Sequence, residues 1–518
     1  MIRRYAAILA LAAVLPAIGC ATAGCTAAGG AAQPGSTAHA QSPAPPFPVA
    51  ENQKPGTKSW KIRNVGGGHE IEGYADHASV LPGQSFRLLV STTAPGYHVE
   101  AFRVGWYGGT QARRLWESGQ QRGVRQAAAR VTPGTNMVTA PWKPSMTVST
   151  AGWPPGDYLM RLDASTGAAR YVPITVRSPS TAGKVVVLNG VTTWQAYNLW
   201  GGYDLYNGPN GFADRARAVS FDRPYAHSPT DNGATWFFSY DQPAVVQAEK
   251  SGVPLAYETD ADLQADPGLL NGARAVFSLG HDEYYSPAMR QSLVNARAAG
   301  ANIAFLGANS VFRHIRFANS ALGEDRVVIC YKVATEDPLF GKNNGQTTQD
   351  WREPPDPRPE SVLTGVFYEC NPVSDAYVVY DAQNWIFAGT RARDGTSFPG
   401  LVGPEYDRVN PAMPVPRPIQ VLAHSPVTCD ATSSYADSAY YTVPGGAGVF
   451  AAGTMRWVCA LNRTCGHGVN TAGEHFTDVA TANLLRVFAA GPAGKTHPAR
   501  DNLRQVKPST VTPGGGGD

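Results

Sequence analysis

The sequence has no excess of either charge. Lys and Arg number 43 against 40 Asp and Glu, so no basic footprint draws the chain onto nucleic acid or anionic lipid, and a small or neutral ligand is expected. It has no Cys-x-x-Cys and no paired-histidine spacing, which argues against a zinc site. His424, His467 and His475 are scattered, and surface or satisfied histidines are the default for them. There is no Gly-x-Ser-x-Gly elbow, so Ser310 reads as a turn residue. No cysteine stands at that position either, which argues against a Cys-His amidotransferase mechanism. The apolar run Tyr5 to Ile18 is too short to span a bilayer comfortably.

What is present begins with an export signal. Met1-Ile2-Arg3-Arg4 is basic and the Ala/Leu-rich run after it ends in small residues, so residues 1–25 read as a signal peptide. Ala17-Ile18-Gly19-Cys20 and Thr22-Ala23-Gly24-Cys25 both resemble the lipobox of bacterial lipoproteins. Either one cysteine is acylated, giving a stable anchor, or the segment is removed by ordinary cleavage. The expected location is extracellular or lipid-anchored to the cell envelope, with membrane contact only through that anchor. Residues 26–55, rich in Ala, Gly, Pro and Ser, read as a disordered tether, and residues 491–518 as a disordered tail. Five cysteines remain: Cys330, Cys370, Cys429, Cys459 and Cys465. In an oxidising compartment they predict disulfides; Cys459 and Cys465 would close one short loop, and one cysteine is left over if the other four pair. A homo-oligomer is compatible with this sequence.

At roughly 100 to 200 residues per domain, 518 residues predict about two to four units. Residues 56–180 alternate with period two, with Phe86, Leu88 and Val90 on one face and Val172, Ile174 and Val176 in another strand, which predicts an immunoglobulin-like β-sandwich. Its loop Gly105-Trp106-Tyr107-Gly108-Gly109 is expected to pack against the next domain. From residue 184 to 490 short continuous apolar runs alternate with helical stretches, the pattern of a flavodoxin-like parallel sheet covered on both faces. Val185–Leu188, Pro254–Tyr257, Ala275–Leu279 and Ile303–Leu306 are the expected strands, with Ser286 as N-cap and Pro287 opening the helix before the last. A final helix is expected over Asp478–Ala489.

Ligands of open parallel sheets bind beyond the carboxyl ends of the strands, and these positions are polar here. Trp194, Tyr197 and Asn198 follow the first strand, Glu258 and Asp260 the second, and His281-Asp282-Glu283-Tyr284-Tyr285 the third. Asn309, Arg313 and His314 follow the fourth. His281, Asp282, Glu283 and Asn309 are the candidate catalytic groups, an acid or base with two carboxylates at a strand-to-helix turn. Trp194, Tyr197, Asn198 and Arg313 are the candidate substrate contacts. Phenolate and carboxylate oxygens suit Fe(III), and Tyr240, Tyr284 and Glu369 are candidate donors if folding gathers them.

Val104-Gly105-Trp106-Tyr107-Gly108-Gly109, Gly280-His281-Asp282-Glu283-Tyr284, Phe305-Leu306-Gly307-Ala308-Asn309, Trp351-Arg352 and Gly453-Thr454-Met455-Arg456-Trp457 together resemble the large (beta) subunit of N,N-dimethylformamidase and its relatives. The resemblance runs from about Gly73 to Ala489. It implies a glutamine-amidotransferase-like domain that hydrolyses a formamide C–N bond at a mononuclear iron held by two tyrosines and one glutamate. Phe312 stands where a phenol would be expected after the Gly-x-Asn turn. Export implies a substrate other than dimethylformamide, another small amide or one derived from the envelope. Two further readings remain: an envelope glycan-binding or glycan-processing protein with an open cleft lined by Trp194, Trp200, Tyr203 and Tyr206, or a non-catalytic surface protein that retains the fold.

Overall fold

A computed structural model describes residues 47–506 apart from 229, 462 and 464. The expected signal peptide, the first part of the tether and the end of the tail lie outside the described residues. Residues of the expected tether are structured. Helix α1 (Val49–Asn52) buries Glu51, which accepts from Tyr107 Oη at 2.9 Å and Arg113 Nε at 2.8 Å, so the last residues of the expected tether are fixed by a buried carboxylate and not free. The expected tail is also ordered to residue 506, because Ala493 and Ala499 are buried and Asn302 Oδ1 accepts from the Ala493 backbone N–H.

Two sheets follow, antiparallel except at one edge strand, Ser79–Val80, which pairs parallel. One joins β1 (Ile71–Ala75), β2 (Ser85–Thr92) and β5 (Met146–Ser149); the other joins β3 (Gly96–Val104), β4 (Ala112–Glu117), β6 (Gly156–Ala164) and β7 (Ala169–Val176), with the short strand Ser79–Val80 at its edge. Phe86, Leu88 and Val90 meet Val99, Met160, Leu162 and Ile174 in one core, so period-two alternation has made a β-sandwich. The outward side chains of the second sheet, Phe102, Val104 and Leu159, belong to the core of the next domain. The two modules are therefore fused through apolar contact, and the described residues form one compact unit.

The second module is a seven-stranded sheet in the order β9 (Leu255–Thr259), β8 (Val185–Asn189), β10 (Ala275–Ser278), β11 (Asn302–Phe305), β14 (Gly448–Ala451), β13 (Thr432–Thr442), β12 (Ile419–Cys429). The first five are parallel and the last two form an antiparallel hairpin at one edge. Helices α2 (Val191–Ala196), α3 (Thr235–Tyr240), α4 (Gln242–Ser251), α5 (Asp260–Ala265), α6 (Pro287–Ala298) and α7 (Thr471–Ala490) accompany it. Ser286 caps α6, accepting from Met289 N at 3.2 Å. Helix α7 starts one to two turns before its apolar pattern does, because Asn470 accepts from Ala472 and Gly473 N–H groups and fixes an earlier start. Among the described residues no helix is long and apolar enough to cross a membrane.

The Trp106–Tyr107 loop sits at the junction of the modules. Arg103 and Glu249, both fully buried, pair at 2.6 Å there, and Arg103 also donates to Tyr107 Oη at 3.0 Å. Cys370 is bonded to Cys429 and Cys459 to Cys465, while Cys330 is buried and free.

Candidate functional site

The strand order reverses beside β8, whose neighbours β9 and β10 receive connections on opposite sides, and a crevice opens at such a switch point. Two glycines bring its loops together. Gly280 has φ +49°, and a Cβ there would lie 2.3 Å from the Tyr240 carbonyl oxygen; one on Gly307 would lie 1.5 Å from the Gly280 carbonyl oxygen. The loops after β10 and β11 thus touch through backbone, which only glycine allows. Glu283 N donates to Thr193 Oγ1 and Val311 N to the Asp282 carbonyl, each at 2.9 Å, fastening three strand-end loops to one another.

Glu283 lies at the centre, fully buried. Tyr197 Oη is 2.9 Å and Tyr206 Oη 3.0 Å from its carboxylate, and the two phenol oxygens are 2.8 Å apart. His281 Nε2 approaches the carboxylate at 3.0 Å and Arg313 Nε at 3.3 Å. Burial would raise the Glu283 pKa, but His281, Lys332 and Arg313 outweigh it and hold the group at about 2. Burial, reinforced by that negative charge, pushes the Tyr197 and Tyr206 hydroxyls well above their ordinary value. Tyr284 Oη donates to Tyr206 Oη at 2.7 Å and accepts from Lys332 Nζ at 3.0 Å. The ammonium also lies 3.4 Å from the centre of the Tyr206 ring. Burial, with Arg313 next, brings Lys332 down to about 7.

Beside this cluster, the buried atoms His281 Nδ1, Glu405 Oε2, Asn309 Oδ1 and Ser310 Oγ make no hydrogen bond within the described residues. Buried polar atoms are normally paired, so several together mark where a ligand or water binds. His281 Nδ1 and Glu405 Oε2 are 3.8 Å apart. Burial raises the Glu405 pKa; His281 is also raised, burial acting against the shift and Glu405 and Glu283 overcoming it. Trp236 stacks on Tyr197 at 4.6 Å, and Tyr240 lies 5.0 Å from Trp236 and 5.9 Å from His281, so an aromatic wall flanks the unpaired groups.

The strand-edge residues divide by role. His281, Glu283, Tyr197, Asn309 and Arg313 come together. Asp282 turns inward, accepting from Ser278 Oγ at 2.7 Å and Tyr285 Oη at 2.6 Å. Trp194 is 5 % exposed and its indole N–H donates to Asp241 at 3.1 Å, away from the Glu283 carboxylate. Asn198 holds loops together by donating to the Pro224 carbonyl and Gln195. Three of the four aromatics of the expected open cleft have separate partners: Trp194 turns to Asp241, Tyr206 to Glu283, and Trp200 rests edge-on against Trp142. Phe312 packs on Tyr368 at 5.1 Å. No sequence pattern marks Tyr206, Lys332 and Glu405 as donors or proton carriers: Tyr206 comes from an irregular loop and the other two lie beyond the regular βα pattern.

The donor set Tyr284, Tyr240 and Glu369 does not assemble. Glu369 is held away from it by Arg408, Tyr406 and Ser434, the last two at 2.9 and 2.6 Å. Tyr284 stands behind Tyr206, and the Tyr240 hydroxyl makes no hydrogen bond among the described residues. Two phenols and one carboxylate do meet, at Tyr197, Tyr206 and Glu283. Their oxygens lie within 2.8 to 3.3 Å of one another, a hard donor set that fits Fe(III). Elsewhere, Cys370, Cys429 and Asp430, and His98, Glu100 and Asp163, have ligand atoms within 4.8 Å of one another. The first group's sulfurs are joined in the disulfide. The second could hold a cation, although Arg161 already contacts both of its carboxylates.

Comparison with curated proteins finds no match. A solved cycloisomaltooligosaccharide glucanotransferase from Paenibacillus sp., complexed with cycloisomaltoheptaose, is 14 % identical over 24 % of this chain and 16 % of its own, with a TM-score of 0.14, too low to carry an argument. A family model described as N,N-dimethylformamidase beta subunit-like, C-terminal, matches residues 98–471, nearly three-quarters of the sequence, and the chain belongs to that family.

Proposed function

We propose that this protein is an exported, metal-dependent hydrolase of the C–N bond of a small amide. The observation that carries the reading is the meeting of Tyr197, Tyr206 and Glu283 beside the unpaired His281, Asn309 and Glu405 atoms. The three oxygen donors would hold iron, which when bound supplies Lewis-acid polarisation of the amide carbonyl. The chain's own residues do the rest. His281 Nε2 donates to the ionised Glu283, which fixes the ring and leaves Nδ1 facing the unpaired groups. His281 and Glu405, 3.8 Å apart, form an acid–base pair in the state where one carries a proton and the other does not, and each favours the charged form of the other. One takes a proton from the attacking water and the other delivers one to the departing nitrogen. The Asn309 amide orients the substrate, and the walls of Trp236, Tyr197 and Tyr240 exclude water. His281 is 1 % exposed and Glu283 fully buried, which favours a small substrate. The N-terminal 25 residues support export, so the amide is one met outside the cytoplasm.

The test is amine release from a panel of N-alkylformamides and small acetamides by iron-reconstituted protein, with Glu283→Gln and His281→Gln beside it. Release by the wild type, abolished in both variants, supports the reading. If the metal-loaded wild type releases no amine from any of them, the hydrolase assignment falls.

A further inference from the structure

The amino-terminal edge of the sheet carries a polar cavity of about 230 Å³. Asn302, the first residue of β11, accepts at Oδ1 from the backbone N–H groups of Gly448, which opens β14, and Ala493. The C-terminal segment therefore crosses that edge. Four-residue strands at about 3.3 Å per residue separate it from the Glu283 cluster by roughly 13 Å of sheet. Trp385 and His497, with ring centres 5.0 Å apart, form one wall. Tyr440, at 84°, and Phe488, at 51°, also pack against the indole and fix it. Around it stand Asp381, Asn384, Gln420 and Arg500. Gln420, 4 % exposed, donates to Asp381 Oδ2 at 2.6 Å and accepts from Arg500 N at 3.0 Å, so the polar wall is braced. Asn384 Oδ1 accepts from Ile386 N, while its Nδ2 makes no hydrogen bond among the described residues.

We infer that this cavity binds one neutral sugar ring of a saccharide. Carboxylate, amides and guanidinium offer donors and acceptors with no net charge, which matches adjacent hydroxyls that both give and take hydrogen bonds. The stacked Trp385–His497 pair offers an aromatic wall for the C–H face of a pyranose. The volume falls below the ~300–1,000 Å³ of pockets for drug-sized ligands and is on the scale of a single ring. This inference is independent of the amide hydrolase reading, because the two sites share no residue.

The test is saturation-transfer NMR on the full chain with methyl β-glucopyranoside, methyl β-galactopyranoside and methyl N-acetyl-β-glucosaminide, with glycerol as a non-cyclic polyol control. At least one glycoside is expected to give a saturable signal. Asp381→Ala and Arg500→Ala should weaken its affinity at least about tenfold, a loss of ~1.4 kcal/mol. Glu283→Gln, at the other edge, should leave the signal unchanged. Absence of saturable transfer from all three glycosides, an equal response from glycerol, or binding untouched by both cavity variants overturns the inference.

Discussion

Tyr206→Phe separates the proposed donor role of the phenol from its packing role. The ring stays stacked on Tyr197 at 4.6 Å and only the oxygen is removed. That oxygen is 2.8 Å from Tyr197 Oη, 2.7 Å from Tyr284 Oη and 3.0 Å from Glu283 Oε1. A buried polar group left without any partner costs ~1–3 kcal/mol. Tyr197 keeps Glu283 as its acceptor and Glu283 keeps Arg313 as a donor, but the buried Tyr284 O–H loses its acceptor, since Lys332 can only donate to that oxygen. Metal-free stability should therefore fall by ~1–3 kcal/mol, the cost of that one unmet donor. Iron, in contrast, loses one of three hard donors. Outer-shell losses already weaken metal binding ~10–100-fold, so a first-rank donor should cost at least about 100-fold, removing ~2.7 kcal/mol of metal-dependent stabilisation. The assay compares thermal midpoints with and without iron, together with the visible tyrosinate band. Tyr240→Phe, outside the donor set, should leave both unchanged. If Tyr206→Phe keeps wild-type iron affinity and absorption, or Tyr240→Phe abolishes them, the donor assignment is wrong.

Three further outcomes are expected. Burial, with Asp262 adding to it, raises Glu258 to about 9, so between its unfolded value near ~4.3 and that pH the folded protein holds one proton more than the unfolded chain. Its contribution is full below the unfolded value and is lost as pH rises towards about 9, at up to ~1.4 kcal/mol per pH unit; denaturant titrations of Glu258→Gln should show a shallower fall across that window, and parallel curves would count against it. Glu249→Leu strands the buried Arg103 guanidinium and should lower stability by ~3–5 kcal/mol, read from the urea midpoint, whereas a loss below ~1 kcal/mol would mean that the pair is solvated. Gly307→Ala drives a methyl group to 1.5 Å from the Gly280 carbonyl oxygen, so soluble variant protein, if it forms, should lose amide hydrolysis through displacement of the His281 loop.

Much of the frame was legible in the sequence because it rests on local physics. Period-two alternation at Phe86, Leu88 and Val90 gives strands that share one face, and continuous runs such as Val185–Leu188 give strands buried on both faces. Ser286-Pro287 states a helix start without reference to anything distant. The polar strand ends also followed, since parallel strands must deliver their carboxyl ends to one edge. What escaped was decided by irregular segments. Tyr206 lies in an irregular loop, and Glu405 and Lys332 lie beyond the regular βα units, so no period specifies where their side chains go. Glu369 was attractive by order along the chain, yet Arg408, Tyr406 and Ser434 hold it elsewhere. Asn470 extended a helix that its apolar stripe alone would have begun later.

The sequence by itself determined which segments become strands and helices, and that His281, Glu283 and Asn309 end beside a sheet edge, because these depend on periodicity and chain direction. Only the tertiary structure decided that two phenols and a carboxylate meet at Tyr197, Tyr206 and Glu283, and which cysteines pair. Convergence to within 3 Å arises from the backbone contact of Gly280 with Gly307 and the hydrogen bonds among three loops, long-range events that no local pattern encodes.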